Sequence, residues 1–239
     1  MRSSTWHALG NTYRLVERAD LGESLTAPAA RELAVGTDGV LEIVSAEGAA
    51  AELVIWNPDG TTAELSGNGT RIAARWLAAR SGAEQVTIRV GEREVVARML
   101  GDGLVEQDLG EVRVFDVEQV EGLEVVPVSV GNPHAVVLGD PDDLPRIGPL
   151  LETHPRFPGR TNVQVARVEG RGLVRARVWE RGVGETRSSG TSAVAVAAAT
   201  HGEGEVTVIF PGGELRVVLA RGRALLVGPA ERTDPPRHA

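Results

Sequence analysis

The sequence predicts an α+β protein of two pseudo-symmetric lobes, each a curved, mostly antiparallel sheet around a central helix. The first observation behind this is an internal repeat: Trp56 to Gly67 can be laid beside Trp179 to Gly190, and in both a tryptophan stands ten residues before a Ser-Gly pair. The second is a change of period after each pair. Runs rich in alanine and aliphatics, 70–79 and 192–199, read as buried helices, and each closes near a glycine, Gly82 and Gly202. Alternating segments follow, 86–90 with 94–98 and 206–210 with 215–219, which read as hairpins turned at Gly91 and at Pro211-Gly212-Gly213. The third observation is length, since 239 residues accommodate two small domains. The lobes are expected to span 1–115 and 116–239, with the junction in the stretch from Val112 to Val128 and the C-terminal strand free to cross over. Residues 234–239 read as a frayed tail.

Composition narrows the function. The chain is 42% hydrophobic and 24% charged, as in ordinary globular proteins, and no apolar run approaches the roughly 20 residues of a membrane helix. The first residues carry no apolar h-region, so a cytoplasmic protein is expected. Net charge is −8 and the basic residues are scattered among acidic ones, so nucleic acid is not an expected partner. All 25 basic residues are arginine, which excludes Schiff-base chemistry and a lysine-anchored pyridoxal cofactor. The absence of cysteine removes disulfides, thiolate metal sites and thiol nucleophiles, and no metal is expected.

The Ser-Gly pairs are the chemical focus. A small polar residue and a glycine at a helix start offer an exposed side chain and free backbone N–H groups, which together with the helix dipole attract a carboxylate or phosphate. Gly67 and Gly69 in Ser66-Gly67-Asn68-Gly69-Thr70, and Gly190 in Ser189-Gly190-Thr191, let the backbone come close to a ligand. Each serine alone reads as an ordinary helix N-cap. Their pairing within a repeat favours two elbows that serve one ligand.

Five segments in this order resemble the diaminopimelate epimerase family: His7-Ala8-Leu9-Gly10-Asn11, Asn57-Pro58-Asp59-Gly60, Ser66 to Arg71, Gly131-Asn132-Pro133-His134, and Glu180 to Thr186 followed by Ser189-Gly190-Thr191. The resemblance covers nearly the whole chain. It implies a two-lobed fold and cofactor-independent inversion of an amino-acid α-carbon, in the route to lysine and peptidoglycan precursors, with an amino acid as small-molecule substrate. In the family one cysteine removes the α-proton and a second delivers a proton from the opposite face. By position, Ser66 and Ser189 match those cysteines, and Gly67, Asn68, Gly190 and Thr191 match donors to the α-carboxylate. Asn11, Asn57, Asn132, Asn162 and Arg181 match residues that hold the distal end, Glu180 one that receives the α-ammonium group, and His134 one expected near the first acid/base group. A homodimer is one assembly the resemblance leaves open.

Taken singly these residues have plainer readings. Asn57 and Asn132 precede proline as turn residues do, Glu180-Arg181 reads as a solvated pair, His134 as a surface or satisfied core histidine, and Arg71 and Glu185 as ties between loop ends. The sequence also departs from the family at Thr37-Asp38-Gly39, where a glutamine usually follows the aspartate, and at Ile72 and Ala135, where cysteine is frequent. The departure at Ser66 and Ser189 is chemically larger. A serine hydroxyl ionises about five units above a thiol, on the order of 7 kcal/mol or ~10⁵-fold in available base. Serine needs a base of its own; His134 is the one candidate for the first lobe, and the sequence shows no equivalent partner for Ser189. Two further readings stay open at this point: an inactive amino-acid-binding homologue, and a dehydratase or isomerase on the same fold.

Overall fold

The computed structural model describes residues 3–233, so the expected tail at 234–239 lies outside the described residues. The chain divides into two compact units, one of Met1–Gln107 with Gly228–Ala239, the other of Asp108–Val227. Both junctions fall inside strands, so no linker of distinct composition marks them.

In the first unit, β1 (Ser3–Ala8) and β2 (Asn11–Glu17) form a hairpin across Leu9-Gly10. Both turn residues have positive φ, as a tight two-residue hairpin turn requires. Helices α1 (Arg18–Leu21) and α2 (Ala27–Leu33) cross to β3 (Val40–Glu47), which runs parallel to β2. Next come β4 (Ala50–Trp56), the short β5 (Thr62–Ala63) and helix α3 (Gly67–Ser81). The chain then enters β6 (Gln85–Val90), parallel to β4, and the antiparallel β7 (Arg93–Gly101) and β8 (Leu104–Glu111).

The second unit begins with the short β9 (Arg113–Val114) and β10 (Glu118–Val120) and then repeats this order. An antiparallel pair, β11 (Leu123–Ser129) and β12 (Pro133–Leu138), is followed by α4 (Leu144–Glu152) and by β13 (Asn162–Gly170), parallel to β12. Strand β14 (Leu173–Glu180), the short β15 (Gly184–Thr186) and helix α5 (Gly190–His201) lead to β16 (Gly204–Phe210), parallel to β14. Strands β17 (Gly213–Ala220) and β18 (Arg223–Pro229) follow, and the chain returns to the first unit, to which both β19 (Glu231–Arg232) and its partner β1 belong. Each unit is thus a mixed, mostly antiparallel sheet around one buried helix, an α+β architecture.

The ladders make the repeat explicit. Arg14 lies beside Val40, and Val40 beside Trp56; in the second unit Ala135 lies beside Val163, and Val163 beside Trp179. On these matched rungs Asn11 corresponds to Asn132 and Tyr13 to His134. Each repeat's tryptophan donates its indole N–H to a buried carboxylate, Trp56 to Glu42 at 2.9 Å and Trp179 to Glu152 at 2.8 Å. Burial raises the Glu42 pKa, but bonds from Arg18 and Trp56 outweigh it and hold the carboxyl below its ordinary value.

Helix α5 shows why composition identified it. Every residue from Gly190 to Ala198 is buried, and from Ala193 to Ala199 the helix is alanine and valine alone, apolar all round. Burying Val194 and Val196 contributes about 1.5–3 kcal/mol each relative to exposure. Helix α3 buries Ile72, Ala73, Ala74 and Leu77 against Leu41, Leu53, Ile55 and Ile88, and turns Ala79, Arg80 and Ser81 outward. It ends at Gly82, whose φ of 73° is the left-handed cap that glycine adopts without steric cost. Among the described residues no helix is long and apolar enough to cross a membrane.

Candidate active site

In the first unit Ser66 is the N-cap of α3, and its Oγ accepts the Gly69 N–H at 3.0 Å. The first backbone bond of the helix, Thr70 N–H to Ser66 O, leaves the N–H groups of Gly67 and Asn68 ahead of any intrahelical acceptor. A second group reaches the Ser66 hydroxyl: the phenol of Tyr13, from β2, lies with Oη 3.3 Å from Oγ. Tyr13 is held in place because Gly39 has no side chain. A Cβ there would stand 2.9 Å from Tyr13 Cε1 and 2.5 Å from the Trp56 carbonyl oxygen. Asp38 adds a two-way tie, accepting the Thr12 N–H and donating its own to Thr12 O.

Arg71, one turn into α3, is fully buried. Its Nε donates to Pro229 O at 2.9 Å and its Nη2 to Asn68 Oδ1 at 2.7 Å. Burial pulls its pKa down to about 10, so the guanidinium remains a cation at neutral pH among neutral acceptors. Asn11 opens β2 and is buried. Asn57 begins a turn, its carbonyl accepting the Gly60 N–H and its Nδ2 donating to Thr61 Oγ1 at 2.9 Å.

The second elbow is built alike but bonded differently. Ser189 caps α5 from an extended conformation, is buried, and its side chain makes no capping bond. Because the Ala193 N–H is the first to bond back to Ser189 O, those of Gly190, Thr191 and Ser192 lie ahead of any intrahelical acceptor. Asn132 Nδ2 donates to Thr191 Oγ1 at 3.5 Å, and its Oδ1 stands 3.0 Å from His134 Nε2. The other ring nitrogen of His134 lies 3.0 Å from Gln164 Nε2, which also donates to Ser192 Oγ. With Gln164 donating to Nδ1, the proton of the neutral ring sits on Nε2 and goes to Asn132 Oδ1, which aims the Asn132 amide N–H group at the α5 terminus. Burial above all, and the Arg181 charge, push the His134 pKa down to about 3. The ring is a neutral orienting group with both nitrogens engaged.

The Glu180-Arg181-Gly182 corner is pinned from beneath. Asn162 Oδ1 accepts the Arg181 N–H at 3.0 Å while its Nδ2 donates to Pro133 O at 2.9 Å. Glu152 accepts the Gly182 N–H at 2.6 Å and pairs with Arg160. Glu180 Oε1 accepts the Thr186 hydroxyl at 2.6 Å. Asn132, His134, Asn162, Arg181 and Thr191 therefore belong to one connected network, and Ser66, Gly67, Asn68 and Arg71 to another.

Three functional neighbours escape inspection of the sequence: Tyr13, Gln164 and Glu152. A signal for Tyr13 exists, because Gly10-Asn11-Thr12-Tyr13 parallels Gly131-Asn132-Pro133-His134. The hydroxyl partner that the structure gives Ser66 within its own unit is this tyrosine.

Comparison with known proteins agrees with the motifs. The family model described as diaminopimelate epimerase matches residues 4–115 and 126–232. A diaminopimelate epimerase from Synechocystis sp. is 35% identical over 96% of this chain and 95% of its own length. One from Rhizorhabdus wittichii is 36% identical over 96% of this chain and 92% of its own length. Among solved structures, a predicted epimerase from Pseudomonas aeruginosa superposes with a TM-score of 0.78 at 18% identity, covering 98% of this chain and 97% of that one.

Proposed function

Because this chain belongs to the diaminopimelate epimerase family, a family of isomerases, we propose that it inverts the α-carbon of diaminopimelate or a closely related amino acid without a cofactor, in the cytoplasm. One base removes the α-proton, and an acid on the opposite face returns one. Ser66 and Ser189 occupy the two acid/base positions. The observation that carries this reading is the repeated elbow, a serine in an extended conformation capping the N-terminus of a buried helix, occurring once per unit at the end of the same strand ladder.

The N–H groups of Gly67, Asn68, Gly190 and Thr191 receive the α-carboxylate and stabilise the negative charge that develops when the proton leaves. Arg181 offers a fork to the distal carboxylate, and Asn11, Asn57 and Asn132 match further positions that hold this end. Glu180 receives the α-ammonium group. Asn162 acts by fixing the Arg181 backbone, since both ends of its amide are already bonded to protein.

The test is exchange of the α-hydrogen of diaminopimelate in deuterated water, followed by NMR for the native protein and for the S66C/S189C variant. The variant should exchange much faster, by up to the ~10⁵-fold that separates thiol from hydroxyl. Absence of exchange in both would overturn the proposal. Stereospecific binding without exchange in either would favour an inert amino-acid-binding homologue, for which the weak acidity of both hydroxyls is the motivating observation.

A further inference from the structure

We infer that Tyr13 and Ser66 form a proton-relay pair on one face of the site, in which the phenol stores the α-proton that the serine hydroxyl transmits. This rests on the reading of Ser66 as an acid/base position.

Three observations of the first unit converge on the pair. The two oxygens lie 3.3 Å apart, a contact in which either hydroxyl can donate, and the Gly69 N–H on one lone pair of Ser66 Oγ fixes the side chain so that its hydroxyl hydrogen can be passed to the phenol oxygen. The Tyr13 ring is buried and wedged by Gly39, so the approach is fixed by packing. The buried Arg71 guanidinium is coupled electrostatically to Tyr13 and donates, among the described residues, to the neutral oxygens of Pro229, Gly67 and Asn68. A buried cation so placed favours an anionic phenolate over a neutral phenol. A phenol ionises near pH 10, several units below an aliphatic hydroxyl, so it supplies the base strength that serine lacks.

The step balances. Ser66 Oγ takes the α-proton as its own hydroxyl hydrogen passes to the Tyr13 phenolate. The C–H bond breaks with its electron pair left on the α-carbon, and Tyr13 ends as neutral phenol. The reverse transfer returns the proton to the same face. In the second unit the residue on the matching rung is His134, whose nitrogens are turned to Asn132 and Gln164. The relay is therefore confined to the Ser66 face, and the two faces differ chemically.

The test compares Tyr13→Phe in the native background with the same change in a Ser66→Cys background, reading α-hydrogen exchange for each configuration of the substrate separately. In the native background, exchange should favour the configuration whose α-hydrogen faces Ser66 by at least ~10-fold. Tyr13→Phe should lower its kcat by ~10²-fold, the usual worth of a positioned acid/base, with KM unchanged. With Cys at 66 the thiol is its own base, and loss of the phenol should alter the rate by less than ~3-fold on the same reasoning. That background also reports that the Tyr13→Phe chain folds. An equal loss in both backgrounds would mean that Tyr13 is merely structural, and no loss in the native background would remove it from the reaction. If S66C/S189C exchanges while the native protein does not, the relay is refuted and the family reaction stands. If neither exchanges, the reading on which the relay rests fails with it.

Discussion

Acidification should destabilise this protein through His134, by an amount the structure allows to be worked out. The unfolded chain binds a proton at His134 near pH 6.5, whereas in the folded chain burial and the Arg181 charge lower that value to about 3. Above pH 6.5 neither state is protonated, and the group contributes nothing to the pH dependence. Below it the unfolded state takes up a proton that the native state refuses, so native stability falls by about 1.4 kcal/mol per pH unit until the folded value is reached. At pH 5 the loss amounts to about 2 kcal/mol, and at pH 3 to about 5 kcal/mol. Urea unfolding from pH 8 to pH 5, run on the native protein and on His134→Gln, isolates the effect from carboxylates that titrate in both. The variant starts from a lower stability at pH 8, because bonds to Asn132 and Gln164 are lost, but its decline with acid should be shallower by about 2 kcal/mol over the interval. Parallel curves would show that His134 protonates equally in both states, and would refute its assignment as a neutral orienting group.

Two further substitutions probe the supports of the site. Gly39→Ala places a methyl group 2.5 Å from the Trp56 carbonyl oxygen and 2.9 Å from the Tyr13 ring, and should cost about 1–3 kcal/mol in thermal or urea unfolding while shifting tyrosine absorbance. Glu152→Gln keeps the shape but turns an amide N–H₂ toward the donor of either Gly182 or Trp179, which bond to different oxygens of the carboxylate. It should cost about 1–3 kcal/mol and weaken amino-acid binding measured by calorimetry, with an unchanged binding constant counting against the corner as part of the pocket.

The buried helices and the hairpins were legible because their patterns are uninterrupted: the core run of α5 is alanine and valine, and β16 and β17 alternate inward and outward. The Ser-Gly elbows were legible because they occur twice. Helix α4 was not, since Pro145 and Pro149 within Leu144–Glu152 disguise an apolar face of Leu144, Ile147 and Leu151. Nothing in the local sequence marks Glu42 and Glu152, yet both are buried, which is possible only because tryptophan, arginine and backbone donors from other segments converge on them. The partnership of Tyr13 with Ser66 depends on the parallel rungs that join β2 to β3 across α1 and α2. Local pattern shows only an alternating strand at Thr12-Tyr13-Arg14, and register between distant strands is not written in any one of them.

The pairing of β19 with β1, and the bond from Arg71 to Pro229, bear on how the chain folds as the ribosome makes it. Residues 108–227 form a contiguous unit whose contacts are all available once that stretch has emerged. The other unit, though synthesised first, has its N-terminal strand waiting for residues 231 and 232 and a buried guanidinium waiting for a carbonyl 158 positions downstream. The half that carries Ser66 is thus completed last, after the half that carries Ser189, and its closing contacts are among the most distant in sequence, the kind that slow folding most.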